Sequence, residues 1–499
     1  MKNFPKLPDF SGIKDKAVLA IIEQLVDVIK AQQEAIETLD GKNAELRRML
    51  FGQKSERMPS IKREVKKKKS SPEEEKKRQK RAQAKRKKNR QKKKEVDTVD
   101  VNHEIEQELI CPECGGTQFV DINEGEVTYE YEYVPGRFVR HRHVQQKKAC
   151  KNGCCIITAP APRRVSEGVQ YGPGFHAHVA VSKCADSLPL YRQAKRLSRT
   201  GVPISRSTLC DIFHRCGSLL KPIWQEMIKK VSASYYVNAD ETPMPMLAPT
   251  KTRRCYIWTF IGKNIVTYFF SPSRSGETPL NVLGSTPGVL QVDAYSGYNE
   301  VCTPKSRTRA GCFAHVRRKF FESYRTTPEE ARYAMNCILD LYLVEYDAAD
   351  KKIIGTAKHL EMRKQKSAKI MEKFGTWLKE KQPLHPPKSP IGKAISYASA
   401  NWKSLTVFLE DPKIRLDNNW SENHLRIAAL NRKNFLFVGN KHAGENWAIL
   451  QSLIATCQLN EVNPQKYLSD VLMRIQTHPH SHIDDLLPQN WKAHFAQPP

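Results

Sequence analysis

Three short stretches decide the fold: YYVNADETP (residues 235–243), GVLQVDAYSGY (288–298) and LDNNWSENHLR (416–426). In the first two, a run of β-branched and aromatic residues leads to an aspartate, Asp240 or Asp293, which is typical of a strand that ends at a polar site. In the third, Glu422 opens a segment with a helical pattern. Three carboxylates that hold two divalent cations, Mg²⁺ or Mn²⁺, form the arrangement that cuts and joins phosphodiesters. The stretches therefore predict a metal-dependent enzyme that acts on DNA.

Each carboxylate also has a simpler interpretation. Asp240 and Asp293 would end strands and accept hydrogen bonds from turn amides, as aspartates often do. Glu422 follows Asn419 by three residues, so it would complete a capping box at a helix start. The catalytic interpretation depends on the three residues occurring together in a strongly basic chain.

Length and charge set the class of protein. The chain has 499 residues and a formal net charge of +29, which favours three or four structural units and a polyanionic partner. Residues 62–94 hold nineteen Lys or Arg and four Glu, a net charge of +15, and almost no apolar side chain. Such a segment cannot bury a core, so residues 61–98 are expected to be a disordered linker, or a bare helix in isolation, that contacts phosphates. A solvated linker without such contacts is the alternative. The DNA-binding residues expected there are Lys66, Lys67, Lys68, Arg86, Lys87 and Lys88.

The sequence has no apolar run that would span a bilayer and no secretory h-region at its start. We therefore expect a cytoplasmic protein without a membrane partner and without disulfides.

The first 60 residues carry a heptad pattern. Its a and d positions are Val18, Ile22, Leu25, Ile29, Gln32, Ile36, Leu39, Asn43, Leu46 and Leu50. Asn43 lies at an a position, where a buried amide fixes the register of a two-stranded coiled coil. The pattern predicts a dimerisation helix over residues 1–60, although an amphipathic helix packed on its own domain has the same spacing.

Residues 99–165 contain two groups of cysteines. Cys111 and Cys114 in CPECGG have the spacing of a zinc knuckle, and Cys150 with Cys154 or Cys155 follows a predicted hairpin through Pro135 and Gly136. Four thiolates in two pairs suit tetrahedral Zn²⁺. The fourth ligand stays open between the two neighbouring cysteines. The alternative is a set of buried free thiols.

The remaining chain divides into a helical region, a sheet and a late helical stretch. Residues 166–232 resemble a helix-turn-helix, with a break at TGVPISRST and an N-cap near Ser205 or Ser207. Its candidate DNA-binding residues are Arg196, Arg199 and Arg206, next to Arg192 and Lys195; plain helical packing is the alternative. Residues 233–450 are predicted to be the catalytic domain, with a helical insertion over about 316–400, and residues 451–499 a C-terminal helical segment.

The chain resembles the insertion sequence sixty-six family of bacterial DDE transposases, of the TnpC type, over nearly its whole length. The matching stretches are LRRMLFGQKSER (46–57), CPECGG (111–116), DSLPLYRQAKRLSRTGVPISRSTL (186–209), NADETP (238–243), VDAYSGYN (292–299), GCFAHVRRKF (311–320), LDNNWSENHLR (416–426), FLFVGNKHAGENWAIL (435–450), YLSDVLMRI (467–475) and LLPQNW (486–491). Their order and number make this resemblance more specific than the three acidic residues alone.

The resemblance implies a multidomain α/β protein with a ribonuclease H-like core. Asp240 on its first strand, Asp293 at the end of a later strand and Glu422 on a helix would be the catalytic metal ligands. GCFAHVRRKF corresponds to the family's Cys-x-x-His element, here Cys312 and His315, where His315 orders the active site, contacts DNA or packs in the core. Nearby basic residues would hold phosphates, among them Arg317, Arg318, Arg426 and Arg432. Arg426, one turn after Glu422, would alternatively pair with that glutamate.

The partners and activity implied are those of a bacterial, nucleoid-associated transposase. They are double-stranded DNA at the element's ends and target, a second copy of the chain, and accessory proteins encoded by the element. Two other classes fit the residues: a DNA-binding regulator that has lost cleavage, and a ribonuclease H-like nuclease that hydrolyses without joining. A strand-transfer assay on the element's own ends separates the three.

Deletion of residues 1–95 tests the roles of the heptad helix and the basic arm. We expect weaker binding to paired DNA ends and a slope of log K against log salt that is shallower by about 0.9 for each phosphate that the shortened protein no longer neutralises. The core fold should stay unchanged by circular dichroism. Full-length affinity with an unchanged salt slope would reduce the segment to a linker.

Overall fold

The computed structural model describes residues 138–149, 156–166 and 170–495, together with residues 18, 22, 24–29, 32, 83 and 136. The described residues from His143 onward belong to one compact unit. Among the described residues, no helix is long and apolar enough to cross a membrane. The described positions between residues 18 and 32 are helical, and Val18, Leu25 and Ile29 are exposed there, as the heptad helix requires before it finds a partner.

A short antiparallel hairpin brackets the second cysteine group. Strands β1 (Lys147–Ala149) and β2 (Ile156–Thr158) pair with Ala149 opposite Ile156. The cysteines predicted to bind zinc, Cys111, Cys114, Cys150, Cys154 and Cys155, all lie outside the described residues. Residues 138–146 lead into the hairpin without regular secondary structure.

The centre of the protein is a five-stranded mixed sheet. Its strands are β3 (Tyr236–Met246), β4 (Arg253–Gly262), β5 (Ile265–Ser271), β6 (Gly288–Gln291) and β7 (Arg307–Ala310). They lie in the order β5-β4-β3-β6-β7. The β3–β4 and β4–β5 pairs are antiparallel, whereas β6 runs parallel to both β3 and β7. The prediction of an α/β protein is confirmed.

Fourteen helices are present in the described region. In chain order they are α1 (Pro173–Cys184), α2 (Leu190–Arg199), α3 (Arg206–Ser232), α4 (Glu277–Leu283), α5 (Phe313–Ser323), α6 (Pro328–Asp350), α7 (Ala357–Met362), α8 (Ala368–Lys381), α9 (Pro390–Ala400), α10 (Trp402–Thr406), α11 (Asn419–Phe435), α12 (Lys441–Leu459), α13 (Pro464–Arg474) and α14 (Pro488–His494). Ser205 is the N-cap of α3, because its side chain accepts a hydrogen bond from Thr208 N at 3.1 Å. This confirms the N-cap predicted from the sequence.

Strand β3 is longer than its sequence pattern indicates. The apolar run stops before Asp240, yet the strand continues through DETPMPM to Met246. Proline removes a backbone donor and is found in strands mainly at an edge. Pairing with β6 ends at Asn238, so β4 is the neighbouring strand at Pro243 and Pro245, and the opposite side has an isolated bridge from Met246 to Val438. The prolines are tolerated because this side of the strand has no ladder.

One helix, α12, packs on the β5 end of this sheet. Helix α12 is buried along most of its length and packs on β5 and α3. Ser452 Oγ and Thr456 Oγ1 accept hydrogen bonds from Tyr268 N and Val266 N, which ties α12 to β5. Gly444 on α12 lies against the Phe270 ring, where a Cβ would come within 2.5 Å of it. The helix and strand are therefore fixed in one register.

The helical stretch between β7 and α11 has a core of its own. It extends from Phe313 to Leu409, somewhat beyond the predicted 316–400, and buries Phe320, Phe374 and Trp377 in a cluster of aromatic rings. The insertion thus adds a second packed region between Asp293 and Glu422.

A buried arginine ties this insertion to the segment that precedes Glu422. Arg363 is 1% exposed and donates hydrogen bonds to both carboxylate oxygens of Glu345. It also donates to the carbonyls of Phe408, Asp411 and Ile414 at 2.8–2.9 Å. Because five bonds converge on one guanidinium, the chain is fixed shortly before it reaches LDNNWSENHLR.

Replacement of Arg363 tests this anchor. Arg363→Ala would leave the Glu345 carboxylate and three carbonyls without their donor, and we expect the insertion to lose about 3–5 kcal/mol of stability. The measurement is the urea midpoint by tryptophan fluorescence, with the exposed neighbour change Lys364→Ala as control. Equal midpoints for both variants would contradict the anchoring role.

Candidate active site at the open edge of the sheet

The three predicted carboxylates lie on three different elements. Asp240 is in the middle of β3, Asp293 follows the end of β6 by two residues, and Glu422 is in the first turn of α11. The β3–β6 register pairs Asn238 with Gln291, and the same offset continued along the strands brings Asp240 beside Asp293. Helix α11 packs on β3 and β4, and it brings Glu422 to the same edge.

Asn418 holds α11 against β3. Its side-chain amide donates to Ala239 O at 2.7 Å and accepts from Asn238 Nδ2 at 3.1 Å. Farther along the helix, Arg432 donates to Pro243 O at 2.6 Å. Both carbonyls belong to the side of β3 that has no neighbouring strand. The residues that fix the helix therefore also satisfy the backbone around Asp240.

The simpler interpretations of the carboxylates have different outcomes. The N-cap of α11 is Asn418 rather than Asn419, and no side chain caps it, so the capping-box interpretation of Glu422 is wrong. Asp240 does not end its strand. Asp293 does accept a hydrogen bond from a turn amide, Tyr295 N at 2.9 Å, through one of its oxygens.

Asp240 lies in an environment that opposes its charge. Burial, together with the negative charges of Glu241, Glu422 and Asp293, raises the pKa of Asp240 to about 8. The hydrogen bond from Glu241 N to Asp240 Oδ1 acts in the opposite direction. Glu422 and Asp293 are thus close enough to repel Asp240, and a cation at this edge would relieve the repulsion.

The sequence reasoning missed a second acidic group beside Asp240. The side chain of Glu241 is 2% exposed and accepts hydrogen bonds from Arg274 Nε at 2.8 Å and Tyr298 Oη at 2.6 Å. Arg274 also stacks over the Tyr295 ring, 3.9 Å from its centroid. Glu241 and Tyr298 lie inside the stretches NADETP and VDAYSGYN, which was the only signal for them.

Glu422 has basic and thiol neighbours from the start of α5. His315 Nδ1 is 3.8 Å from Glu422 Oε1, and Arg318 Nη2 is 4.0 Å from Oε2. Cys312 is buried, and its Sγ accepts a hydrogen bond from Asn418 N at 3.2 Å. Burial strongly raises the pKa of the Cys312 thiol. The Cys-x-x-His element therefore lies against Glu422 rather than only in the core.

The arginines predicted to hold phosphate differ in position. Arg426 is exposed, and the ion pairs of Glu422 in the described region are with His315 and Arg318, so the suggested Arg426–Glu422 pair is wrong. Arg317 is 2% exposed and lies in the protein interior. Arg432 donates a hydrogen bond to the backbone carbonyl of Pro243.

Helix α2 presents a basic surface. Leu190, Gln193 and Leu197 are buried, and the opposite side carries the exposed basic residues. These are Arg192, Lys195, Arg196 and Arg199, followed after the Gly201 turn by Arg206. The predicted residues of the basic arm, Lys66, Lys67, Lys68, Arg86, Lys87 and Lys88, lie outside the described residues.

A sheet whose open edge gathers acidic side chains, in a chain of net charge +29, is typical of proteins that bind cations and a polyanion. Comparison with known families gives the narrower class. The transposase IS66 family matches residues 168–446, its C-terminal element matches residues 452–489, and its zinc-finger binding domain matches residues 108–155. The chain therefore belongs to the transposase IS66 family, as the resemblance predicted. The matched zinc-finger domain includes both groups of predicted cysteine ligands and supports a structural Zn²⁺.

Three relatives from Sinorhizobium fredii (strain NBRC 101917 / NGR234) are similar to most of the chain. The protein y4hP is 30% identical over 79% of this chain and 75% of its own length. The protein y4jD is 33% identical over 74% of this chain and 76% of its own length. The protein y4qI is 32% identical over 77% and 75%, respectively. All three are named as uncharacterized proteins.

The raised pKa of Asp240 predicts a pH-dependent stability. Between the ordinary pKa of 3.8 in the unfolded chain and the folded value of about 8, the folded protein holds a proton that the unfolded chain releases, so this group makes the protein less stable as pH rises through that window. Asp240→Asn removes this loss of stability, because asparagine does not titrate in this pH range. In protein without added Mg²⁺, we expect its Tm advantage over the wild type to grow from pH 5 to pH 8.

The control is Asp186→Asn, an exposed aspartate far along the chain from the site. Added Mg²⁺ should raise the Tm of the wild type and have little effect on Asp240→Asn. A Tm difference between Asp240→Asn and the wild type that is constant with pH would show that burial does not perturb this carboxyl.

Proposed function

We propose that this protein is a DDE transposase that cleaves DNA at the ends of its element and joins those ends to a target. Asp240, Asp293 and Glu422 are its catalytic residues. The observation that carries the proposal is that β3, the end of β6 and α11 bring these three carboxylates to one sheet edge, where Asn418 ties the start of α11 to β3. A transposase family match over residues 168–446 supports the same assignment.

The catalytic core is, in this proposal, ribonuclease H-like. Three antiparallel strands followed by two parallel ones, with the first strand central, support that fold. The positions of the acidic residues also support it, since Asp240 is on the first strand of the sheet and Asp293 follows the fourth. The helical insertion then separates the second aspartate from the glutamate.

The site suits Mg²⁺ or Mn²⁺. Its donors are carboxylate oxygens, which such cations prefer, and a bound cation would relieve the charge that helps to raise the pKa of Asp240. When bound, two such cations supply Lewis-acid stabilisation of the attacking and leaving oxygens at phosphorus. The chain supplies the charge and the orientation of the ligands. Asn418 fixes the start of α11, and Arg274 and Tyr298 donate hydrogen bonds to Glu241 beside Asp240.

The basic surface of α2 and the arm around residues 62–94 would hold the DNA. On α2 the exposed Arg196 and Arg199, with Arg206 at the start of α3, offer phosphate contacts without competing ion pairs in the described part of the chain. Tyr191 is 53% exposed on the same helix and offers an aromatic face. Dimerisation through the heptad helix would bring two such surfaces to two DNA ends. Accessory proteins and a nucleoid location complete the proposal.

Conservative substitutions test the catalytic residues. Asp240→Asn, Asp293→Asn and Glu422→Gln each remove one charge and almost no volume, so we expect strand transfer in Mg²⁺ to fall by about a thousandfold or more while DNA binding stays near the wild-type level. The assay uses DNA bearing the element's own ends. The exposed Asp186→Asn serves as the matched control.

The products separate the alternative functions. Joined products define a transposase, cleavage without joining defines a nuclease, and binding without either defines a regulator. Near wild-type joining by any one of the three variants would remove that residue from the catalytic set.

A further inference from the structure

Cys312, His315 and Glu422 form a compact group of potential metal ligands. One ligand atom of each residue lies within 4.8 Å of the other two, and among the described residues this group does not include Asp240 or Asp293. The group lies where the start of α5 meets the first turn of α11. It combines a sulfur, a nitrogen and an oxygen donor, which is a different ligand set from the all-carboxylate centre.

Two atoms of the group lack a hydrogen-bond partner. His315 Nδ1 and Glu422 Oε1 are both fully buried and make no hydrogen bond in the structure. Their separation of 3.8 Å is too long for a hydrogen bond between them. A buried donor or acceptor without a partner costs about 1–3 kcal/mol. A third atom bound between His315 Nδ1 and Glu422 Oε1 would remove this cost for both.

The local sequence builds this arrangement on one helical turn. Cys312 is the N-cap of α5 and makes no side-chain cap bond, and His315 follows it by three residues. His315 N donates to Cys312 O at 3.2 Å, which fixes the turn. Short spacings of this kind place paired zinc ligands on one side of a turn. Asn418 N, next to the start of α11, orients Cys312 Sγ through a 3.2 Å hydrogen bond.

We propose that Cys312, His315 and Glu422 bind one transition-metal ion of the Zn²⁺ class, separate from the zinc of the CPECGG module. Thiolate and imidazole favour Zn²⁺ or Co²⁺ over Mg²⁺. Zinc bonds of roughly 2.0–2.3 Å imply ligand separations of about 3.3–3.8 Å. His315 Nδ1 and Glu422 Oε1, 3.8 Å apart, already meet this, and the other separations need to shorten by at most about 1 Å. Binding releases the Cys312 proton to solvent, because the thiolate is the ligand.

The ion would act on catalysis through Glu422. The ion binds Oε1 and leaves Oε2 for the carboxylate centre. It thereby fixes the side-chain rotamer of Glu422, which the backbone of α11 does not fix by itself. This role rests on the proposed function, whereas the metal site itself does not. Cys312 and His315 are positioning residues in this proposal.

Metal content of the full-length protein is the direct test. The protein is stripped with chelator, reconstituted with excess Zn²⁺ and desalted. The wild type should then hold one more equivalent of Zn²⁺ per protomer than Cys312→Ala. His315→Gln, at a less buried position, should lose the same equivalent of Zn²⁺. It is the test variant if Cys312→Ala does not fold. The half-buried Cys337→Ala, in the same helical insertion, is the matched control and should retain the wild-type content.

Reconstitution with Co²⁺ gives an independent readout. The thiolate-to-cobalt charge-transfer absorption should weaken by the contribution of one thiolate in Cys312→Ala, with no change in Cys337→Ala. Asp240→Asn should keep the ion and lose strand transfer, so a failure of the catalytic assignment would be visible separately. Equal metal content and equal cobalt spectra in the wild type, Cys312→Ala and His315→Gln would overturn the site.

Discussion

The structure depends on the side of strand β3 that no other strand of the sheet covers beyond Asn238. Strand β3 loses its parallel neighbour after Asn238 and continues to Met246, so its carbonyls on that side need other donors. Asn418 and Arg432 of the α11 region supply two of them, and Val438 N supplies a third to Pro245 O. Because these bonds fix α11 along the strand, they also determine where Glu422 lies relative to Asp240. The acidic site is therefore a consequence of how a strand edge is completed.

The same edge concentrates negative charge in a basic protein. Asp240, Glu241, Asp293 and Glu422 come from three elements, and their surroundings differ. Glu241 is paired with Arg274, Glu422 faces His315 and Arg318, and Asp240 is left with its pKa raised to about 8. Such unrelieved repulsion costs stability, and functional sites are where proteins accept that cost. A cation would relieve this repulsion, and the basic surface of α2 offers no comparable group of carboxylates.

Much of the local structure could be predicted from sequence periodicity and capping. The strand pattern of residues 233–310, the helix break at Gly201 and the N-cap Ser205 follow from short-range preferences. The length of β3 could not, since two prolines in seven residues argue against a strand until the missing neighbour is known. The roles of Glu241, Asn418 and Cys312 could not be predicted, because their hydrogen-bond partners lie 33 to 180 residues away in the chain.

The sequence by itself determined the family, and it predicted three acidic site residues and a division into a basic arm, a cysteine-rich segment and a catalytic region. These depend on residue type and order, which are read along the chain. Only the tertiary structure decided that Glu422 is not a helix cap, that Arg426 faces solvent, and that Cys312 and His315 adjoin Glu422. Such facts arise because a helical insertion of about a hundred residues, anchored by Arg363, returns the chain to the open edge of β3. Contacts of that range carry no periodic signal in the sequence.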